Sequence, residues 1–307
     1  AMARAIRFGE YGDVDVLRVE DVPRPAPGPG QVLVEVRAAG INPGEISIRR
    51  GLLHDRFPAT FPSGQGSDFA GVVAGLGDGV EEIEVGDEVI GFVDTRSSHA
   101  DFVVAEAENL TPRPDGVSWE AAGALFVAGV TAYAAVRAVY PREGETVVVS
   151  GAAGGVGSLA VQLAKLSGAT VIGLASEANH AWLRKLDVVP VEYGEGVEER
   201  IEKAAPDGVH AFIDTYGDGY VDLALRLGVY AGRINTIIDF AAAEKYNVKA
   251  EGSMAASTAD VLRELATLIA KGLLEVPIAS VYPLAEVQDA YRELAQRHTR
   301  GKIVLVP

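Results

Sequence analysis

The sequence predicts an α/β fold, in which an antiparallel β-domain is followed by a doubly wound parallel-sheet domain. Three observations carry that prediction. Up to about residue 107 the apolar runs are short, β-branched and separated by glycine and proline, the pattern of strands joined by turns. From about residue 120, β-branched runs alternate with helical stretches of about ten residues, the pattern of βαβ units and a parallel sheet. The first of those runs, 146–150, leads straight into a glycine-rich loop and then an apolar helix.

Taken in order, the strands of the first part start near Ala5 and include 31–37, 71–74, 87–91 and 101–104. Their alternation predicts a barrel-like antiparallel sheet. The segment from Pro23 to Pro29 carries four prolines and reads as an extended connector between strands. After Pro112 and Pro114, Ser118 caps a helix start, and a helical period runs through Val130 to Val139. The alternating units are then strand 146–150, helix 157–166, strand 170–175, helix 179–186, strand 211–214, helix 220–227 and strand 233–238. An amphipathic helix at 258–271, a strand at 276–281, a helix at 284–296 and a strand at 302–306 close the chain. Coming after the parallel sheet, these elements are expected to return to the first domain. The expected division is therefore 1–123 with 257–307, and 124–256.

Composition narrows the function. The 307 residues allow one large or two ordinary domains, and 48% hydrophobic with 23% charged residues is ordinary for a globular chain. There is no cysteine, which removes disulfides, thiol nucleophiles and cysteine-held zinc. With 27 Lys+Arg against 43 Asp+Glu, the formal charge of −16 disfavours nucleic acid as a partner, because phosphate binding needs a basic face. No apolar stretch has the length of a membrane span, and the first residues lack the apolar core of a secretion signal. A cytoplasmic protein with no membrane partner is expected.

The strongest chemical signal is the loop 151–157. Glycines 154, 155 and 157 let the chain turn tightly, approach a pyrophosphate and pack the new helix on the sheet. The helix start supplies N–H groups to the phosphate. Ala152 stands where the first glycine of the usual dinucleotide fingerprint would be. A glycine-rich turn that binds nothing and a methyltransferase loop are the alternatives.

Along the whole chain, Ala39-Gly-Ile-Asn-Pro43, Gly66-Ser-Asp-Phe-Ala-Gly-Val-Val73, Val85-Gly-Asp-Glu-Val89, Ala128-Gly-Val-Thr-Ala-Tyr133, Ala152-Ala-Gly-Gly-Val-Gly157 and Gly301-Lys-Ile-Val-Leu305 occur in order. In these segments the sequence resembles the medium-chain dehydrogenase/reductase superfamily, in its zinc-less quinone oxidoreductase branch. The resemblance implies a GroES-like β-domain on the substrate side, a Rossmann domain holding NAD(P)H, and a cleft between them. Zinc members of the superfamily place cysteine where this chain has Asn42-Pro43 and Gly-His-Glu where it has Gly66-Ser67-Asp68. The five histidines, His54, His99, His180, His210 and His298, lack ligand-like spacing, so no metal site is expected.

By the same resemblance Asn42 and Thr131 lie against the nicotinamide nucleotide and are the catalytic candidates. The wider cofactor set is Asn42, Thr131, Ala153, Gly154, Gly155, Val156, Ser176, Asn179, Tyr193, Ile237 and Ile238. The strand at 170–175 ends without the carboxylate that selects NADH, and Ser176 and Asn179 can donate to a 2′-phosphate; Glu177 opposes it. Glu45 reads as a solvated carboxylate at a helix start, and Arg49 and Arg50 as an exposed pair. Ser47 stands where some relatives carry a tyrosine, which argues against an enoyl-thioester reductase. The expected function is a zinc-independent transfer of hydride from NADPH to a quinone or α,β-unsaturated carbonyl. A crystallin-like nicotinamide-nucleotide binder with little turnover and an enoyl-thioester reductase are the alternatives. Relatives often dimerise through the Rossmann sheet edge, here residues 233–238 and 246–251, so a homodimer is expected.

Overall fold

A computed structural model describes all residues, 1–307. The chain forms two compact units, Ala1–Val127 with Ser257–Pro307, and Ala128–Ala256. The first unit opens with β1 (Met2–Phe8), β2 (Arg18–Pro23), β3 (Gln31–Gly40), α1 (Pro43–Arg49) and β4 (Ser63–Gly64). It continues with β5 (Asp68–Leu76), β6 (Glu88–Phe92), β7 (Phe102–Glu106), β8 (Leu110–Pro112) and α2 (Trp119–Gly123). Ser118 caps α2 by accepting from the Ala121 N–H at 3.1 Å, as the sequence predicts. The long helix α3 (Phe126–Val139) carries the division between the units.

The second unit is built from β9 (Thr146–Val149), α4 (Gly157–Leu166), β10 (Thr170–Leu174), α5 (His180–Lys185), β11 (Val189–Val191) and α6 (Val197–Ala204). Next come β12 (Ala211–Asp214), α7 (Tyr220–Arg226), β13 (Ile234–Thr236) and α8 (Phe240–Tyr246). The strands form one parallel five-stranded sheet in the order β11-β10-β9-β12-β13. Val147, Val148 and Val149 are all completely buried, which is why β9 reads as a continuous β-branched run: helices cover both faces of a doubly wound sheet. The chain builds outward from β9 through β10 and β11, then restarts on its other side at β12. The topological switch point therefore lies between β9 and β12, where open parallel sheets bind ligands. At the β13 edge, segment 248–251 pairs with the last strand through Thr236 N–H to Lys249 O and Lys249 N–H to Ile234 O, both 3.0 Å.

The chain returns to the first unit with α9 (Ala259–Ala270), β14 (Ile278–Pro283), α10 (Val287–Ala295) and β15 (Lys302–Val306). Here β14-β15-β3-β5-β6-β8 form a seven-stranded sheet in which β7 also pairs with β3. The predicted return of the C-terminal elements is thus a strand insertion. In its register, Val304 faces Gly40 and Leu305 faces Ala39. Ile41 N–H then reaches Ile303 O at 3.1 Å, which sets Lys302 beside the chain just beyond β3. Helix α2 lies close on β3 because small residues meet there: a Cβ on Gly40 would stand 2.7 Å from Ala124 Cα, and one on Gly123 2.5 Å from Ala38 O. No helix is long and apolar enough to cross a membrane.

Candidate active site

Asn42 is the residue before α1. Its extended backbone, φ −133° and ψ 147°, suits a helix N-cap, and Pro43 follows at the first helical position. Glu45, at the third helical position, closes a capping box with Asn42. The carboxamide is 95% buried and held at both ends: Nδ2 donates to Asp68 Oδ2 at 3.2 Å, and Oδ1 accepts from Lys302 Nζ at 2.6 Å. Lys302 Nζ also donates to Ile41 O at 2.8 Å. Asp68 accepts in addition from Ser67 Oγ at 3.1 Å and from the Val127 N–H at 3.3 Å. The last bond puts a carboxylate at the N-terminus of α3, where the helix dipole favours negative charge.

A second layer adjoins this chain of bonds. Glu45 Oε1 accepts from the Asn42 N–H and from the Tyr291 hydroxyl, both at 2.7 Å, and Gln65 Nε2 donates to the same hydroxyl at 3.0 Å. His99 is buried with Nε2 against Gly40 O at 3.1 Å; a carbonyl only accepts, so this nitrogen carries the proton. Burial drives the imidazole down to about 4, so it is neutral near pH 7. Gly66 has φ +98°, and any Cβ there would meet the imidazole at 2.3 Å. The glycine therefore makes room for His99.

Two expectations are corrected here. Glu45 is not solvated: Oε2 is buried without a partner, and burial raises its carboxyl above the usual range. The cause is α10, whose Tyr291 closes over it. Arg49 is not exposed either. It is 2% accessible, with its guanidinium 5.4 Å from the Tyr291 ring centroid, while Arg50 alone stays in solvent. Lys302, Asp68, Gln65 and Tyr291 were missed as site residues. Lys302 and Asp68 lie inside the quoted segments, but no spacing rule joins positions 68 and 302; only the β15–β3 register does.

The cluster makes a pH prediction. Burial lifts the Asp68 carboxyl to about 6, with Lys302 pulling it down and Glu45 pushing it up. Between its unfolded value near 3.9 and about 6, the folded state holds a proton that the unfolded chain has lost. Stability from this group is complete below about pH 4 and falls as pH rises to about 6. Asp68→Asn is expected to flatten that part of the profile relative to wild type in urea midpoints measured from pH 4 to pH 7. Parallel profiles would assign the effect elsewhere.

In the second unit the predicted cofactor residues gather at one edge of the sheet, the carboxyl ends of the strands. Ala153, Gly154, Gly155 and Val156 lie between β9 and α4, and Ser176 and Asn179 follow β10. Tyr193 follows β11, and Ile237 and Ile238 follow β13. Asn179 Nδ2 donates to Ser176 Oγ at 3.0 Å. Tyr193 is 45% exposed and its ring stands 6.4 Å from that of Tyr216. Thr131 is buried within α3, 6% accessible. It belongs to the second unit, whereas Asn42 belongs to the first.

This edge is braced by a residue that sequence reasoning overlooked. Asp214, fully buried at the end of β12, accepts from Ser150 Oγ at 2.7 Å, the Tyr216 N–H at 3.0 Å, the Gly217 N–H at 2.9 Å and Thr236 Oγ1 at 2.8 Å. One carboxylate thereby ties together the loops after β9, β12 and β13. Arg200 fixes the fourth loop by donating to the carbonyls of Glu192, Tyr193 and Glu195 at 2.7–3.3 Å. The loop 151–157 itself shows two kinds of glycine. A Cβ on Gly157 would lie 1.8 Å from Gly151 O, whereas one on Gly154 would meet only Gly151 O at 3.4 Å. Folding requires the first glycine; the protein leaves open space over the second, as a phosphate cradle does.

The chain matches the model of the alcohol dehydrogenase GroES-like domain over residues 28–144 and that of a zinc-binding dehydrogenase over residues 185–305. A quinone oxidoreductase of Pseudomonas aeruginosa is 32% identical across the full length of both chains, and one of Rattus norvegicus 30% identical over 98% of this chain and 96% of its own. Among solved structures, the quinone oxidoreductase of Coxiella burnetii superimposes with a TM-score of 0.88 at 30% identity, covering both chains completely. The Escherichia coli quinone oxidoreductase complexed with NADPH does so with 0.86 at 26% identity, over 99% of this chain and all of the other. With an antiparallel GroES-like sheet, a doubly wound sheet and full-length relatives at this identity, the chain is an oxidoreductase of the medium-chain dehydrogenase/reductase superfamily and belongs to its zinc-less quinone oxidoreductase branch.

Proposed function

We propose that this protein reduces a quinone or an α,β-unsaturated carbonyl with hydride from NADPH, without a metal. The observation that carries the reading is the open position over Gly154, set in a loop locked by Gly157 at the switch point of the sheet. Residues 153–156 and the start of α4 would hold the pyrophosphate through backbone N–H groups. Ser176, Asn179 and Tyr193 would hold the adenosine phosphate, Ile237 and Ile238 would line the nicotinamide side, and Thr131 would touch the nicotinamide nucleotide. NADPH, when bound, supplies the hydride.

Preference for NADPH is supported by charge. No carboxylate ends β10, and Ser176 and Asn179, whose side chains can donate to a 2′-phosphate, follow it. Metal independence is supported by Lys302. Where zinc relatives place ligands, this chain has Asn42 and Asp68, and an ammonium group already sits on the Asn42 oxygen. A dication there would face a buried like charge. The unit Ala128–Ala256 is proposed to hold the cofactor and the other unit the substrate, in a cytoplasmic homodimer formed at the β13 edge. The test is the rate of NADPH and NADH oxidation over a panel of quinones and enones. At least a tenfold higher kcat/KM with NADPH is expected; a preference for NADH would remove the cofactor assignment.

A further inference from the structure

We propose that Lys302 is a positioning residue: it locks the Asn42 carboxamide so that Asn42 presents Nδ2–H, and not Oδ1, to an oxygen acceptor on the substrate bound by the same unit. The inference rests on the function proposed above for where that acceptor comes from. The locking itself stands on geometry. A carboxamide is nearly symmetric in shape but opposite in chemistry at its two ends, so its hydrogen-bond partners decide which way it faces. An ammonium has three donors and no acceptor, and an ionised carboxylate only accepts. Lys302 Nζ at 2.6 Å therefore selects the oxygen of Asn42, and Asp68 Oδ2 at 3.2 Å selects its nitrogen.

The two partners bracket the group from different elements, β15 and β5. Lys302 is only 4% accessible and Asp68 completely buried, so neither bond is diluted by water. Lys302 cannot swing away cheaply, because its second bond to Ile41 O ties it to the residue preceding Asn42. Once Asp68 has taken one hydrogen of Nδ2, at most one donor is left, and a ligand must compete with the neighbouring Glu45 carboxyl for it. Without the ammonium, Oδ1 loses its 2.6 Å bond and only the longer bond to Asp68 holds the carboxamide, so its orientation is less firmly set. Burial also depresses the Lys302 ammonium from its ordinary value while Asp68 and Glu45 hold it up. Those two carboxyls are the charged groups that face it.

The first test is a double-mutant cycle on the purified full-length protein. Lys302→Met and Asn42→Ala are each expected to lower the rate of hydride transfer from NADPH to a quinone about 10- to 100-fold, the worth of one charge-assisted hydrogen bond. The double variant should be no slower than Asn42→Ala alone. Independent, multiplying losses would overturn the proposal, since a lysine acting only on stability would add its effect whatever residue stands at 42. The loss is expected at saturating NADPH in the quinone parameters; a loss confined to the NADPH dissociation constant would overturn the proposal.

The second test needs no turnover. In ¹⁵N-labelled protein, the Asn42 side-chain amide pair is identified by its disappearance in Asn42→Ala. It is expected to be widely split in wild type and to collapse toward the values of a free asparagine in Lys302→Met. An unchanged pair would overturn the proposal. Should Lys302→Met yield little folded protein, Lys302→Gln, which removes the charge and leaves Asp68 in place, must narrow the splitting, and an unchanged pair there overturns the proposal as well. If wild type oxidises no NADPH, the proposed function has failed, while this resonance still decides the positioning.

Discussion

Gly157→Ala is expected to cost the folded protein about 3 kcal/mol and to lower its thermal midpoint by roughly 10 °C. The reason is a collision with no side chain to absorb it. The added Cβ would lie 1.8 Å from Gly151 O, 2.7 Å from the carbonyl carbon and 3.1 Å from Ala152 Cα, all backbone atoms. Gly151 cannot retreat: it sits at φ +58°, and Thr215 Oγ1, bonded to Ser150 O at 2.7 Å, stands against it. Behind Thr215 is the Asp214 carboxylate, on which four groups converge. Moving the loop therefore strains three strand ends at once. Thermal denaturation followed by circular dichroism checks the outcome. A midpoint within about 2 °C of wild type would mean that the loop relaxes and that its packing does not depend on a glycine.

Gly154→Val is expected to do the reverse, leaving stability within about 1 kcal/mol while weakening NADPH binding about 100-fold, equivalent to about 2.7 kcal/mol. A Cβ at this position meets only Gly151 O at 3.4 Å, and the residue has no left-handed backbone that would exclude a side chain. The protein thus tolerates the change, and the valine fills the space that a phosphate would take. Equilibrium titration followed by nicotinamide fluorescence measures the affinity, and the melting curve of the same sample measures the fold. Undiminished NADPH affinity in a folded Gly154→Val protein would place the pyrophosphate elsewhere.

The two glycines are three positions apart and look alike in the sequence, yet the structure gives them opposite duties. Such differences mark the limit of sequence reasoning for this protein. The βαβ series was legible because β9 and β10 are buried β-branched runs and β12 a buried, mostly apolar one, each lying between helical periods. Strand β11 was not, since Val189-Pro-Val191 is too short to show a period and contains proline. Helix α8 was also unpredicted; it starts at an Asp239 cap directly after the β-branched residues that close the sheet. Along the carboxyl edge of the sheet the cofactor candidates could be named by motif. The carboxylate that braces them could not, because Asp214 joins partners from 150 to 236.

The first unit shows the same limit more sharply. Asn42 was legible as a candidate, but the meaning of its side chain depends on Lys302, 260 residues away. Glu45 read as solvated because three of the residues next to it along the chain are polar or helix-starting, and nothing local announces that α10 covers it. Charge counting met the same difficulty. The acidic excess says little about a site whose decisive cation is a single buried lysine.

The proposed hydride transfer from NADPH without a metal is tested most directly by one assay. Protein treated with a strong chelator is mixed with NADPH and a panel of quinones and enones while the nicotinamide absorbance and the acceptor are followed together. The predicted result is one NADPH consumed per acceptor reduced, at a rate unaffected by chelation. Tight binding of NADPH with no oxidation across the panel, or activity that disappears with the chelator and returns with zinc, would contradict it.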